Sequence, residues 1–574
     1  MSELFRQGDR LRAASLNKLG VTQQGWMQYA LSFPYAEVGP WMLPGSGDRA
    51  GKALGFDGAG APVMLTLSTN FTDMVTATGS LTARSVQDRF ASVRNVRDFG
   101  AVGNGTTDDT AAIQAAIARV VSDGGGTVYF PPGSYKHTGL TVTGRCVRLA
   151  GDARTHFNVS FGANLFYAGS TTGNWIAVSG SADGFQMQNL HLRRDASVTL
   201  AGGAALDMQA VTNAVIENCK ITEPWNGVNM EGGAIISIHT LVVGSFTGSY
   251  GMRLGALTGS ITGIRTWHVT CTAAAFNGDG LLLEGNVASC WFNVHYSNGA
   301  DRGVRAIAVG ATKPGLIYFM QLNCEQCARE GVYLVDYGSF IFDTPWIGSC
   351  GAPSIGGQSA SGMRFGANGD RQITRVFNGN VGSSGEHGYA VEASLNRISF
   401  VNCTALGCSL TTSNTYDGLN IAASAESVQI TGGQFGGNNV GNISLPRMRN
   451  GIGVGAGATN TSIIGADVRG NVTGGIGDSG TGTLISGVTG WVTEKSGQAS
   501  IAPDASGNGT IAHGLASTPT FVSVGILGDT VATGVEVQAL SGTNITVRIY
   551  NESTGADVTS GTFTVMWHAR AAQA

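Results

Sequence analysis

Glu231 and Glu284 occupy the same place in two copies of a short repeated pattern, each four residues after a glycine. If the copies are rungs of a stacked sheet about 4.8 Å apart, two rungs put these carboxyls roughly 9–10 Å from each other at the backbone. Carboxyls about 6.5–9.5 Å apart suit inverting hydrolysis of a glycosidic bond, one protonating the leaving oxygen while the other activates a water. The rung between them carries Gly255 at that place, which would leave an open groove. Two residues after the glycines stand Arg253, Arg305 and Tyr333, the arginines suited to hold an anionic sugar.

Rival carboxylates are Asp279, Glu325, Glu330 and Asp343, with Glu217 and Glu223 beside Trp225. Asp279 opens a repeat in NGDG, where a turn-forming role competes with a catalytic one. Asp343 lies three residues before Trp346, a spacing that suits a sugar subsite. Sugar rings stack their CH faces on exposed aromatics, and Trp225, Trp267, Trp291 and Trp346 are spread across the same region. In WFNVHY the alternation puts Trp291, Asn293 and His295 on one face, expected to be outward because Phe292 and Val294 would fill the interior. An outward His295 would also serve as the base of a β-eliminating lyase. The chain offers no nucleophile elbow, P-loop or HExxH. Cys324 and Cys327 form a CxxC without a partner pair, so no metal and no cofactor is called for.

The elements that must position these residues repeat. NGVNM, YGMRL, DGLLL, RGVRA, EGVYL, SGMRF, HGYAV, DGLNI and NGIGV begin at Asn226, Tyr250, Asp279, Arg302, Glu330, Ser361, His387, Asp417 and Asn450. The period is about 28 residues, within the range of repeat architectures. Each repeat reads as short alternating strands with Gly/Asn/Ser turns, and one repeat cannot bury its inner face alone. The expected fold is all-β, a right-handed single-stranded parallel β-helix over 93–490. Asparagines before cysteines (Asn218, Asn323, Asn402) are expected to stack at corners and satisfy backbone groups there.

Composition agrees. Charged residues make up 13% of the chain and glycines number 87, which favours a turn-rich β protein. A net charge of −4 offers no basic footprint, so nucleic acid is excluded as a partner. No apolar run is long enough for membrane insertion, and MSELFRQGDR lacks the apolar core of a secretory signal. Eight of the nine cysteines fall in the repeats, where thiols serve as small core residues, consistent with folding in a reducing cytoplasm.

The flanks differ. Residues 1–73 hold a short amphipathic opening (Leu4 to Leu19) and hairpin material around Asp57-Gly58 and Gly60. Between Val93 and Tyr135, residues Thr107 to Asp109 can cap a short helix with the stripe Ile113, Ala116, Ile117, Val120 and Val121, ended by Gly124 to Gly126. Such a helix would cover the open end of the stack. Residues 491–574 alternate cleanly between turn clusters, as expected of a small C-terminal β-sandwich whose Trp567 and His568 are core and interface residues.

DFGAVGNGTTDDTAAIQAAI followed by GGGTVYFPPGSY resembles the opening of the pectate-lyase-like β-helix superfamily, with Asn104 where Asp is commoner. MVTATGSLTARSVQDRFASVRNV, from Met74, is similar to the neck of bacteriophage tailspikes (74–92 here), and GDRAGKALGFDGAGAPV resembles their virion-attachment modules. HGLASTP and the closing TVMWHARA look like C-terminal modules of tail fibres and spikes, which trimerise the chain or touch glycans. The resemblance implies a homotrimer on a virion tail that joins other tail proteins through its N-terminal module. It implies a bacterial surface polysaccharide, capsule or O-antigen, as partner. The expected activity is depolymerisation by hydrolysis; a lyase acting on a uronic-acid polymer and a non-catalytic adhesin are the alternatives. A pectin-degrading bacterial enzyme is disfavoured by the neck and the N-terminal module.

Overall fold

A computed structural model describes residues 50, 52–59, 62–66, 74–75, 81–85, 91–152, 162–180, 182–366, 373–392, 397–436, 448–528 and 533–571. The chain divides into two compact units, 1–92 and 93–574. In the first, Lys52–Phe56 pairs antiparallel with Pro62–Thr66, and Asp57 accepts from the Ala59 amide in the turn. The amphipathic opening, Leu4 to Leu19, lies outside the described residues.

The second unit is built on a 34-stranded parallel sheet wound into the expected right-handed β-helix. Its coils present three flat faces. Sheet I is formed where the repeat glycines open or immediately precede a strand, as at Arg302–Ile307, Val332–Leu334 and Met363–Phe365. Sheet II contains Phe340–Asp343, Thr374–Phe377 and Ile398–Val401, and sheet III Trp346–Gly348, Asn380–Gly382 and Thr404–Leu406. In the middle coils the long strands Asn226–Phe246, Tyr250–Ala273 and Asp279–Asn298 run through all three faces.

Alternation fixes the interior. Inward residues of successive coils stack on one another, so that Phe292, Phe319 and Phe342 form a ladder with ring centroids 4.7 and 5.2 Å apart. Cys219, Cys271, Cys290, Cys324, Cys327, Cys350, Cys403 and Cys408 are buried free thiols of this core, and burial pushes the Cys271 thiol up to about 12. The corners need left-handed backbone, which asparagine tolerates better than most side chains. Asn218 (φ 51°) and Asn402 (φ 52°) supply it, and Asn218 reaches Asn189 in the coil before at 3.4 Å. Asn323 breaks the expected pattern: it lies within the extended strand Gly315–Glu325, and its buried Oδ1 has no partner.

The helix Thr110–Ser122 buries Ile113, Ala116, Ile117 and Val120 against the first coils. Asp108, not Asp109, bonds its first turn, through the Thr110 amide; Asp109 instead accepts from the Val102 and Gly103 amides and holds the preceding loop. At the other end, two three-stranded antiparallel sheets form the β-sandwich, packed through Ile501, Ile545, Val547, Val565 and Trp567. His568 bonds Glu494 at 2.8 Å.

Candidate functional site: the exposed faces of the middle coils

On sheet I the register stacks Asn229, Arg253, Leu282, Arg305, Tyr333 and Arg364 in one outward column, and Glu231, Gly255 and Glu284 in the next. The groove expected over Gly255 is filled. Arg253 reaches Glu231 at 2.8 Å and Glu284 at 2.6 Å, and bonds Asn229 as well. Even a methyl group on Gly255 would collide with the Arg253 guanidinium and with Glu231. A water or leaving oxygen between the two carboxyls would have to displace an arginine that both carboxylates hold. Arg253 is equally unavailable to an anionic sugar.

The rest of sheet I is a second such network. Arg302 bonds Glu330 at 2.9 Å and Asp301 at 3.0 Å; Arg364 bonds Glu330 and Glu392. Tyr333 lies between the Arg302 and Arg364 guanidinia, 5.2 and 5.1 Å from its ring, so its face is already occupied by cations. Asp279 is buried, with Arg305 at 3.7 Å and Arg302 at 4.0 Å. Burial pushes its carboxyl up to about 6, against the pull of the two arginines. Arg305, whose side chain is one third exposed, faces Asp279. Glu223 is bound by Arg194 and Glu217 by Gln188. Trp225 is half-buried over Gly248 at the corner leading into sheet I, apart from the other tryptophans.

His295 does not share a face with Trp291. The strand changes phase between Asn293 and Val294 as it rounds from sheet II to sheet III, so Trp291 points out and His295 in. His295 is fully buried, bonds Ser297 at 3.0 Å, and burial drives its imidazole down to about 3. It can neither touch a glycan nor serve as an accessible base.

Sheet II carries the open chemistry. Its central outward column runs Arg265, Trp291, Tyr318, Ile341, Arg375, Ser399 and Gln429 through successive coils. Two residues further along the same strands lie Trp267, Met320 and Asp343. Trp291 and Tyr318 pack 4.8 Å apart, and Trp267 stacks on His239 at 4.4 Å. Trp267 is 42% exposed, Trp291 47% and, across the next corner on sheet III, Trp346 48%. Trp267 and Trp291 lie on adjoining coils and Trp346 two coils beyond Trp291; large apolar rings so exposed are suited to stack against sugars.

On sheet III, Tyr296 donates to Glu325 at 3.3 Å and accepts from Asn298 at 3.1 Å. Glu325 and Trp346 flank one small space: a Cβ on Gly348 would lie 3.3 Å from the Trp346 indole nitrogen and 3.6 Å from Glu325 Cγ. Asp343 lies three residues before Trp346, at the corner that Thr344 makes with φ 54°. Its carboxylate accepts from the Thr344 hydroxyl at 3.1 Å and has no arginine or lysine within ion-pair distance among the described residues. Among the described residues, Asp343, three residues before the exposed Trp346, and Glu325, which flanks the space beside that ring, have no counter-cation. Aligning the strands after the repeat glycine overlooked Tyr318, Arg265 and Arg375. The signal was present in the second strands, where GIRTW, SCWFN, LIYFM, SFIFD and ITRVF align.

The fold is a right-handed parallel β-helix with exposed aromatic rings on sheets II and III. Residues 93–304 match the family described as rhamnogalacturonase A/epimerase, pectate lyase-like. A stretch of 45 residues is 62% identical to mannuronan C5-epimerase AlgE5 of Azotobacter vinelandii, covering 8% of this chain and 4% of that enzyme. Among solved structures, the A-module of epimerase AlgE6 from the same organism aligns with 69% of this chain and 98% of its own, at 16% identity and a TM-score of 0.45. The tailspike of Escherichia coli bacteriophage HK620, solved with a pentasaccharide, aligns with 86% and 96% at 12% identity and a TM-score of 0.47.

Proposed function

We propose that the protein is a phage tailspike that binds a bacterial surface polysaccharide across sheets II and III and cleaves it by endo-glycosidic hydrolysis. The observation that carries this reading is the set of exposed rings Trp267, Trp291 and Trp346 together with two carboxylates, Asp343 and Glu325, that have no counter-cation among the described residues. The sugar rings stack on these tryptophans, and Asp343 and Glu325 supply the acid and the base. The tyrosine bonded to Glu325 orients that carboxylate and holds it beside Trp346. The homotrimer, the attachment to other tail proteins through residues 1–73 and the virion location belong to this reading through the resemblance of the neck and flanking modules.

Variants separate this site from sheet I. Asp343→Asn and Glu325→Gln are expected to lower cleavage at least about a hundredfold while leaving binding intact. Glu231→Gln and Glu284→Gln are expected to cleave at near the wild-type rate. Trp291→Ala and Trp346→Ala should weaken binding itself. Full activity in Asp343→Asn and Glu325→Gln, or its loss only in the sheet I variants, would return the chemistry to Glu231 and Glu284. The uncommitted arginines of sheet II favour β-elimination on a uronic-acid polymer as a second reading, with a tyrosine in place of the buried His295 as base. An unsaturated product would mark it.

A further inference from the structure

Further along sheet II, beyond the aromatic strip, the surface sinks into a groove of about 510 Å³. Ile373 and Phe377 give it apolar surface, Ser399 and Gln429 offer hydrogen-bonding groups, and Arg375 and Arg397 bring two guanidinia. The register places Arg375, Ser399 and Gln429 directly above one another. Arg397 stands one coil on and two residues back, so the two arginine backbones are about 8 Å apart.

The condition of these arginines sets the groove apart. On sheet I, Arg253, Arg302 and Arg364 are each held by carboxylates, and on the last coils Arg449 is bound by Asp417. The side chains of Arg375 and Arg397 have no hydrogen-bond or ion-pair partner among the described residues. Two described carboxylates belong to strands and corners beside the groove: Asp343, laddered with Phe377, and Glu426, whose backbone oxygen bonds the Arg397 amide. Neither forms a salt bridge with these guanidinia. Arg397 also sits at a corner with φ 60°, a backbone conformation that costs a non-glycine residue energy.

We infer that this groove is a subsite for an acidic sugar residue, its ring against Ile373 and Phe377 and its oxyanion between Arg375 and Arg397. Paired guanidinia recognise carboxylate and phosphate alike, and the ring's hydroxyls fit Ser399 and Gln429. Arg265 continues the same outward column on the far side of Trp291 and Tyr318, so a chain crossing the aromatic strip would meet uncommitted cations on both sides. This inference rests on the polysaccharide reading and adds that the polymer carries acidic groups.

The test uses the full-length protein and matched pairs of polymers: polygalacturonate, alginate and polysialic acid, each with its carboxyl-reduced form, and a phosphate-bearing teichoic acid. Binding is measured by calorimetry at two salt concentrations for wild type, the double variant Arg375→Gln/Arg397→Gln, and Trp291→Ala. The expected result is that wild type prefers acidic members, with affinity falling as salt rises. The double variant should lose that preference about tenfold or more while binding a neutral form unchanged. Whether the carboxylated polymers or the teichoic acid bind more tightly identifies the oxyanion. Equal affinity of wild type and the double variant for acidic members would overturn the inference. Neutral polymers binding as well as acidic ones, through Trp291, would overturn it while leaving the polysaccharide reading intact. No binding to any member would count against both.

Discussion

Asp279 and His295 lie in the same strand, and burial moves both away from charge: the carboxyl up to about 6, the imidazole down to about 3. For Asp279 this has a consequence for stability. Below its ordinary 3.8 the acid is neutral whether folded or unfolded, and the burial of a neutral carboxyl is fully tolerated. As pH rises through about 6, the folded chain must carry a buried charge that the unfolded chain carries in water. Stability is therefore lost between about pH 4 and 6 by this group, by about 2–3 kcal/mol. Asp279→Asn, which cannot ionise, should escape that loss. Chemical denaturation at pH 4 and pH 7 should show the variant gaining on wild type between the two. Parallel changes in both proteins would contradict the assignment. Charge at fixed spacing suggests a groove with an acid and a base, but Arg253 stands between the two carboxylates and pairs with both instead.

At the scale of the element, each strand contributes one inward and one outward row, and the coil stacks every row into a column. Inside sheet II that column is the ladder Phe292, Phe319, Phe342, with no described exposure at any of the three rings. Truncating the middle rung, Phe319→Ala, opens a cavity facing both neighbours and should cost about 3–5 kcal/mol. Trp291→Ala, on the outer side of an adjoining position, should cost far less because its ring is 47% exposed. Thermal unfolding of the two variants compares them directly; equal losses would mean that the outer ring is part of the core packing. The repeat glycines made the sheet I columns legible in the sequence, since they mark the register without ambiguity. Sheets II and III have no such mark. Their strands begin at corners of variable length, and the change of phase after Asn293 leaves no trace in an alternating pattern. That is why His295 was expected outside, and why the column joining Arg265, Trp291, Tyr318 and Arg375 went unread.

For the whole molecule, the period, the capping helix and the alternating C-terminal segment together specify a β-helix closed at one end by Thr110–Ser122 and followed by a sandwich, and the structure has this form. What the period cannot specify is which of three faces is used. Three faces share one backbone, and only side-chain partners distinguish a self-neutralised wall from a surface that still has bonds to make. Sheet I has spent its charges internally; among the described residues, sheets II and III retain exposed aromatics, the carboxylates Asp343 and Glu325 without counter-cations, and Arg265, Arg375 and Arg397 without side-chain partners. The most direct measurement incubates the purified protein with capsular and O-antigen polysaccharides from a panel of bacteria, following polymer size together with the ultraviolet absorbance of unsaturated sugars. The account predicts shortened chains without new absorbance from at least one polymer, abolished by Asp343→Asn. Binding with no shortening of any bound polymer would contradict it and leave a protein that holds its glycan without cutting it.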